Sequence, residues 1–269
     1  QHRLKVIIDS KNLVLENVYN QEPLSYDEIM EWCRSQAEFF KDYICDVGTL
    51  LGAAAGQGKN ILFEAQLGAL RDIDYGIYPF TSSSNTIASY APIGAGIPGC
   101  ALDNVVGVMK AYSTCVGEGP FVAETAMGEA WNEKLRESGG EFGAATGRPR
   151  RVGPFDAVAS RYGIRCQKAQ DIALTKLDVL GAFDKIPVIT GYRLHGVLLD
   201  SFPTDSRLEE AEPVIEELPG WGCDISGCRS WKDLPENARK YVCTLEKLVD
   251  HPIYLVSTGA ERDAYLLRE

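Results

Sequence analysis

The chain has 269 residues, 45% of them hydrophobic, and a formal net charge of -11 at pH 7. That length can bury a substantial core, as one large domain or two small ones. The acidic balance excludes a general nucleic-acid-binding protein, which needs cations clustered over a wide face. No apolar run reaches the roughly 18 residues that cross a bilayer, and the first residues do not form a signal peptide. We therefore expect a cytoplasmic protein that binds neither membranes nor nucleic acid.

The chain contains eight cysteines and three histidines. The cysteines are scattered, with Cys223 and Cys228 as the only close pair, and no Cys-x-x-Cys motif is present. A zinc site is therefore not expected. We predict small, buried thiols in their reduced form.

In chain order, the residues predict helices that alternate with strands. Residues 4–8 have a strand-like composition, and the Ser25 and Glu28 spacing of a capping box predicts a long helix through residue 50 or 51. A polar loop is expected over residues 72–86. The remaining predicted strands are residues 60–64, 171–176, 186–194 and 252–257, and the remaining predicted helices are residues 102–111, 155–162 and 235–249.

This alternation predicts the α/β class, with a mainly parallel central sheet flanked by helices. In such sheets, ligands bind beyond the carboxyl ends of the strands. We assign residues 1–269 to a single domain of this kind. Residues 195–234 are rich in Pro, Gly and acidic residues, and we interpret them as a surface excursion.

Two glycine-rich segments resemble nucleotide-binding motifs. Residues 94–99 match G-x-G-x-x-G, and Glu118 lies about 20 residues on, but the preceding residues 82–89 are polar and do not form a hydrophobic strand. Residues 56–60 resemble a phosphate loop in reversed order, after a helix and before a strand. Because a helix C-cap explains those glycines more simply, neither segment is interpreted as a phosphate site.

The most informative segment is residues 143–153, where Arg148, Arg150 and Arg151 stand between glycines. Guanidinium groups bind phosphate or carboxylate through paired hydrogen bonds, and glycines let backbone amides approach an anion. Pro154 suits the first position of the helix predicted next, whose N-terminus adds partial positive charge. This arginine loop predicts an anion site, and a solvated basic turn is the alternative.

The segment from Thr175 to Asp178 reads Thr-Lys-Leu-Asp and follows an apolar strand. A carboxylate there can accept parallel hydrogen bonds from N1–H and the 2-amino group of guanine, while the Lys176 stem packs over the base. Adenine lacks that donor pair, so Asp178 would select guanine. A strand end with solvated charges is the alternative for this segment alone, but together with the arginine loop it predicts a guanine-nucleotide site.

Together with other segments, these residues resemble the adenylosuccinate synthetase family, whose members join IMP and L-aspartate with GTP hydrolysis. The resemblance spans essentially the whole chain. It is carried by Phe63 and Glu64 with residues 72–86, by residues 110–121, 141–151 and 175–180, and by residues 218–221 and 257–263. It implies a P-loop NTPase-related fold and a ligase that forms a C–N bond in purine (AMP) biosynthesis through a 6-phosphoryl-IMP intermediate.

The resemblance also implies which residues contact each substrate. The residues implied for IMP are Gln66, Ser82, Val116, Gly117 and Arg148. Those implied for aspartate are Thr146, Gly147 and Arg148. Those implied for GTP are Arg150, Lys176, Asp178, Ser257 and Gly259.

Several positions depart from the family pattern. The glutamine expected against the purine 6-oxygen falls on Leu67, so either Gln66 substitutes through a local backbone shift or the contact comes from elsewhere. Cys115 stands where arginine is frequent, and Ala145 where threonine is frequent. Pro149 replaces an arginine and should stiffen the arginine loop by fixing φ.

In the family, a segment N-terminal to the matched region carries the phosphate loop, an aspartate base, a histidine acid and the Mg²⁺ ligands. We expect that segment to be missing here, so that residues 1–269 hold no catalytic residue and no metal ligand and are inactive alone. Mg²⁺, GTP as co-substrate and a homodimer are expected of the intact protein. The alternatives are a non-catalytic purine-nucleotide-binding or regulatory module, and an unrelated GTP-binding protein that keeps only Thr-Lys-x-Asp.

Overall fold

The fold is taken from a computed structural model, which describes residues 1–199 and 201–268. The chain divides into two compact units, Gln1–Ile61 and Leu62–Glu269. Helices of the first unit are α1 (His2–Asn17), α2 (Tyr26–Phe40) and α3 (Val47–Gly56). Helices of the second unit are α4 (Ala91–Gly94), α5 (Val122–Thr125), α6 (Glu129–Gly139), α7 (Ala157–Gln167) and α8 (Glu236–Val249).

The first unit is helical throughout its regular structure. The Ser25 hydroxyl accepts a hydrogen bond from the Glu28 amide and caps α2, as the capping-box spacing predicted. The predicted long helix is divided, however, because α2 ends at Phe40 and α3 begins at Val47 behind the Asp46 cap. The predicted strand at residues 4–8 is wrong, since these residues lie in α1. A five-residue apolar run fits a helix as well as a strand.

The second unit contains all ten strands of the described residues. They are β1 (Val106–Lys110), β2 (Ser113–Cys115), β3 (Arg151–Gly153), β4 (Phe155–Asp156), β5 (Asp171–Thr175), β6 (Lys185–Leu194), β7 (Val197–Leu198), β8 (Glu212–Pro219), β9 (Ile253–Ser257) and β10 (Tyr265–Leu267). The predicted strands at residues 171–176, 186–194 and 252–257 are therefore confirmed, as is the helix predicted at residues 235–249.

The central sheet has the strand order β1-β5-β9-β10. Strand β5 pairs in parallel with both β1 and β9, and β10 joins β9 in the antiparallel direction. In a second sheet β6 pairs in parallel with β4 and antiparallel with β7 and β8, and β2 and β3 form a short antiparallel ribbon. The predicted α/β class with a mainly parallel central sheet flanked by helices is confirmed.

The main hydrophobic core lies between the central sheet and α8. Ile172 and Leu174 of β5 pack there with Tyr241 and Leu245 of α8, and all four are almost fully buried. A second cluster joins α7 to the β6 sheet. Because both clusters cover the sheet faces, they leave the strand ends and the loops behind them for ligands.

Three further predictions along the chain are wrong. Residues 60–64 form no strand, and Leu62 is 92% exposed. Residues 102–111, predicted as a helix, contain β1, where a Cβ on Gly107 would lie 2.9 Å from Ile172 Cδ1. That close strand approach favours glycine. Residues 195–234, interpreted as a surface excursion, include β8, which pairs with β6 along its length.

The helix predicted from residue 155 begins later than expected. Phe155 and Asp156 form β4 beside β6, and α7 starts at Ala157. The Asp156 carboxylate caps it by accepting hydrogen bonds from the amides of Val158 and Ala159. Pro154 is therefore not the first helical residue, and the α7 N-terminus is occupied by a carboxylate of the chain itself.

Among the described residues, no helix combines the length and apolar character that a membrane span requires.

Candidate functional site

The implied ligand residues follow the carboxyl ends of three neighbouring parallel strands. Strand β1 ends at Lys110 and leads through β2 to residues 116–117, β5 leads to Lys176 and Asp178, and β9 ends at Ser257. Because β5 lies between β1 and β9, these three loops share one edge of the central sheet. That edge is where open α/β sheets hold ligands.

A buried carboxylate connects two of the implied sites. Glu141, which follows α6 and is 0% exposed, accepts hydrogen bonds from Lys110 Nζ at 2.8 Å and Tyr112 OH at 2.6 Å through Oε1. Its Oε2 accepts from Arg150 Nη1 at 2.9 Å. Lys176 Nζ lies 3.5 Å from Oε1. One carboxylate thus contacts the arginine loop, the guanine segment and the end of β1.

The charges of this cluster do not balance. Three cations surround one carboxylate, and the pKa of Tyr112 is raised by burial and by the Glu141 carboxylate, so the phenol stays neutral. Burial alone would raise the pKa of Glu141, but hydrogen bonds from Lys110 and Tyr112 and the nearby cations lower it from 4.5 to about 2. Burial also lowers the pKa of Lys110. The net positive charge suits an anionic ligand.

The arginine loop is an exposed turn with a defined backbone. The Gly143 amide donates to the Arg148 carbonyl at 2.8 Å, and the Gly147 amide donates to the Gly143 carbonyl at 2.7 Å. Gly147 has φ +65°, and the Thr146 hydroxyl accepts a 3.4 Å hydrogen bond from the Arg148 amide. Pro149 forms an antiparallel bridge with Phe142. Thr146, Gly147 and Arg148 are therefore presented together to solvent.

The third arginine of that segment, Arg151, already donates its hydrogen bonds to other groups of the protein. Arg151 donates through Nε and Nη2 to the Glu124 carboxylate at 2.8 and 2.6 Å. Its Nη1 donates to the carbonyls of Gly117 and Gly119 at 3.2 and 2.8 Å. Arg151 therefore organises residues 117–119 and is not a free anion ligand, whereas the sequence grouped it with Arg148 and Arg150.

Arg71 holds together the two segments implied for IMP, and sequence reasoning missed it. Its guanidinium donates to the carbonyls of Phe80, Glu118 and Val116, and to Cys115 Sγ at 2.8 Å. Its own carbonyl accepts from the Ser82 amide at 2.8 Å. Arg71 therefore links Ser82, through its backbone, to Val116, through its guanidinium.

The polar loop of residues 72–86 is organised around Asp72, also missed from sequence. This fully buried carboxylate accepts hydrogen bonds from the amides of Asp74, Tyr75, Thr86 and Ile87. Burial alone would raise its pKa, but the four amide hydrogen bonds outweigh burial and hold the pKa below the ordinary value. The loop therefore keeps a fixed shape without regular secondary structure.

Gln66 and Leu67 lie in an exposed segment that is linked to that loop through the neighbouring Gly68. The carbonyl of Gly68 accepts a 2.9 Å hydrogen bond from the Thr86 hydroxyl. Leu67 has φ +73°, which is unusual for a residue with a branched side chain. The backbone at Leu67 therefore adopts a glycine-like conformation, and Gln66 is exposed beside it.

The residues implied for guanine lie around the ends of β5 and β9. Asp178 is half-buried at the start of a 3-10 helix, Asp178–Ala182, and burial raises its pKa although the Lys176 charge opposes the rise. Lys176 has φ +59° and donates to the Gly139 carbonyl at 2.6 Å. The Ser257 hydroxyl donates to the Gly259 carbonyl at 2.9 Å. The parallel pairing of β5 with β9, in which Leu174 lies beside Val256, thus brings the ends of these distant strands to one edge of the sheet.

No group of three or more His, Cys, Asp or Glu side chains in residues 1–199 and 201–268 is arranged to hold a metal ion.

Comparison with known proteins shows the family of the chain. The adenylosuccinate synthetase family profile matches residues 1–266. The adenylosuccinate synthetase of Trichlorobacter lovleyi is 47% identical over 266 residues, covering 98% of this chain and 61% of that protein. That of Pelotomaculum thermopropionicum is 45% identical over 258 residues, covering 96% of this chain and 60% of that protein. The chain thus spans about three fifths of the length of the curated relatives it matches.

A solved structure has the same fold. The fully ligated adenylosuccinate synthetase from Plasmodium falciparum superimposes with a TM-score of 0.90 at 33% sequence identity. The match covers 98% of this chain and 62% of that protein. A family match over residues 1–266, curated relatives above 40% identity and the shared fold agree. The chain belongs to the adenylosuccinate synthetase family.

Proposed function

We propose that this chain supplies the IMP-, aspartate- and guanine-binding part of an adenylosuccinate synthetase. In that reaction GTP phosphorylates the 6-oxygen of IMP, and the amine of L-aspartate then displaces the phosphate to form adenylosuccinate. The observation that carries the proposal is the convergence of the arginine loop and the guanine segment on Glu141, at the carboxyl edge of the central sheet. Family membership supports the same substrates.

In this proposal the IMP 5′-phosphate lies against Ser82, and the nucleoside lies along Val116 and Gly117. The Arg71 hydrogen bonds support this arrangement, because they hold both segments side by side. Gln66 reaches the purine from the neighbouring exposed segment. Arg148 completes the site from the arginine loop, where its exposed guanidinium is free to approach the ribose.

Aspartate is received by the arginine loop. Thr146 and Arg148 present a hydroxyl and a guanidinium from one exposed turn, which Gly147 closes at φ +65°, and these donors suit a carboxylate. Arg150 is more buried than Arg148 and reaches toward the phosphates of GTP or toward aspartate. Its buried Nε–H has no partner among the described residues, although Nη1 binds Glu141. The guanidinium therefore keeps donors available for an anion.

Guanine is recognised by Asp178, whose ionised carboxylate accepts from N1–H and the 2-amino group. Lys176, Ser257 and Gly259 complete the pocket around the base. Fixed donors aimed at transferring phosphate and the positioning of substrates supply most of the acceleration in phosphoryl transfer. This chain's part in the reaction is to position the substrates. Mg²⁺, a homodimer and a cytoplasmic location are proposed with the family.

The decisive test is calorimetric titration of the chain with GDP, ADP and IMP. We expect binding of IMP and of GDP, with GDP preferred to ADP. Asp178→Asn presents one acceptor where two are needed, so it should weaken GDP binding by about 10- to 100-fold, the value of a hydrogen bond to a charged group. The same substitution at the exposed Asp184 is the matched control and should leave GDP affinity unchanged. Equal GDP affinity in wild type and Asp178→Asn would refute the guanine role.

A further inference from the structure

Glu141 is a buried charged group to which the proposed function assigns no role. It touches no solvent, yet its carboxylate contacts side chains from three segments that are distant in sequence. Lys110 ends β1, Arg150 belongs to the arginine loop and Lys176 follows β5, and they lie 2.8, 2.9 and 3.5 Å from the carboxylate oxygens. The Tyr112 hydroxyl donates a hydrogen bond to Oε1 of Glu141 at 2.6 Å.

The four contacts divide into two kinds. Lys110 and Tyr112 belong to β1 and the turn after it, where Tyr112 is 2% exposed and Lys110 also contacts the Thr114 hydroxyl. Arg150 and Lys176 each come from a loop that carries proposed ligand residues, and their side chains are 33% and 39% exposed. Glu141 therefore joins the end of β1 and the turn after it, on one side, to two cations from ligand-carrying loops on the other.

The side chains of Arg150 and Lys176 bind a ligand better when a neighbouring group holds them in one conformation. Arginine and lysine side chains are flexible, and like charges so close together repel. A shared buried carboxylate removes both problems, because it offsets the repulsion and restricts the rotamers before a ligand arrives. Preorganisation of this kind strengthens binding, because the side chains lose less conformational entropy when the ligand binds.

We propose that Glu141 is a positioning residue that fixes Arg150 of the arginine loop and Lys176 of the guanine segment on one carboxylate, so that the two sites are preorganised together. The inference rests on the proposed function, because it takes from it that Arg150 and Lys176 face ligands. Glu141 itself touches no substrate. Its contribution passes through the two cations.

The informative variant is Glu141→Asp. It keeps the negative charge that three neighbouring cations require, so the fold is retained, but it is one methylene shorter and cannot reach Lys110, Arg150 and Lys176 together. Glu141→Gln would leave those cations without a counter-charge, and breaking a buried pair in that way is strongly destabilising. The matched control is Glu246→Asp. Glu246 pairs with Arg268 and accepts from the Ile253 amide, at the opposite end of β9 from Ser257.

The first measurement needs no ligand. Acetylation of lysines with a limiting reagent, followed by mass spectrometry, reports how freely each amine reacts. In Glu141→Asp we expect Lys176 to react about five-fold faster than in the wild type, because it loses a charge-assisted contact. Lys185, whose side chain is already 71% exposed, should react at the same rate in both proteins. An unchanged Lys176 rate would overturn the proposal.

The second measurement is GDP affinity by calorimetry. Glu141→Asp should bind GDP about ten-fold more weakly, and Glu246→Asp should bind it within about two-fold of the wild type. In a background that carries both Arg150→Met and Lys176→Met, the additional effect of Glu141→Asp should shrink to within about two-fold, because coupled residues are not additive. A full ten-fold loss in that background would mean a structural role only and would overturn the proposal. If the wild type binds no GDP, the proposed function fails, and lysine reactivity still decides whether Glu141 anchors Lys176.

Discussion

Replacing Asp156 by asparagine should change how the stability of the protein depends on pH. Asp156 is 4% exposed, and its carboxylate accepts hydrogen bonds from the Val158 and Ala159 amides and from Tyr192 OH. Burial raises its pKa from 3.8 to about 6, although these hydrogen bonds oppose the rise. The folded protein therefore binds this proton more tightly than the unfolded chain does.

The sign and size follow from linkage. Because the pKa is higher in the folded state, the free energy of unfolding falls as pH rises through the interval from 3.8 to about 6. Each pKa unit corresponds to about 1.4 kcal/mol, so ionisation of Asp156 costs about 3 kcal/mol in total, of which about 2 kcal/mol falls between pH 4 and pH 7. The asparagine side chain that replaces Asp156 cannot ionise, and asparagine caps a helix about as well as aspartate.

Urea unfolding followed by near-ultraviolet circular dichroism, from pH 4 to pH 8, measures the effect. The difference in unfolding free energy, Asp156→Asn minus wild type, should increase by about 2 kcal/mol between pH 4 and pH 7. Taking the difference removes the contribution of every other titrating group. The same substitution at the exposed Asp184 should give a flat difference. Parallel pH profiles for Asp156→Asn and the wild type would refute the reasoning.

Two further substitutions test the packing and the purine contact. A Cβ on Gly220 would lie 1.8 Å from the Phe183 carbonyl oxygen, so Gly220→Ala should lower the free energy of unfolding by about 2–4 kcal/mol. Gly227→Ala is the control, because nothing lies within 4 Å of the added carbon, and it should lower the free energy of unfolding by less than about 1 kcal/mol in the same urea experiment. Equal stabilities of the two variants would contradict the close approach at Gly220. Gln66→Ala should weaken IMP binding about five-fold in calorimetry, as expected for one lost hydrogen bond, whereas unchanged affinity would mean that the purine contact comes from elsewhere.

The short-range patterns of the sequence determined much of the fold and the family. The apolar strands at residues 171–176, 186–194 and 252–257 and the amphipathic helix at residues 235–249 are found where the sequence predicts them. Periodicity is reliable when a segment is long or is bounded by clear turn residues. The short run at residues 4–8 has neither property, and α1 occupies it.

Only the tertiary structure decided how the implied ligand residues are held. The sequence presents Arg148, Arg150 and Arg151 as three equivalent cations, but Arg151 is saturated by Glu124 and two carbonyls, Arg150 is bound to Glu141, and Arg148 is exposed. Buried charges such as Asp72 and Glu141 find their partners through strand order and loop contacts across many residues. A local pattern identifies residue types that suit a ligand, whereas the pairing of charges depends on distances that exist only after the chain has folded.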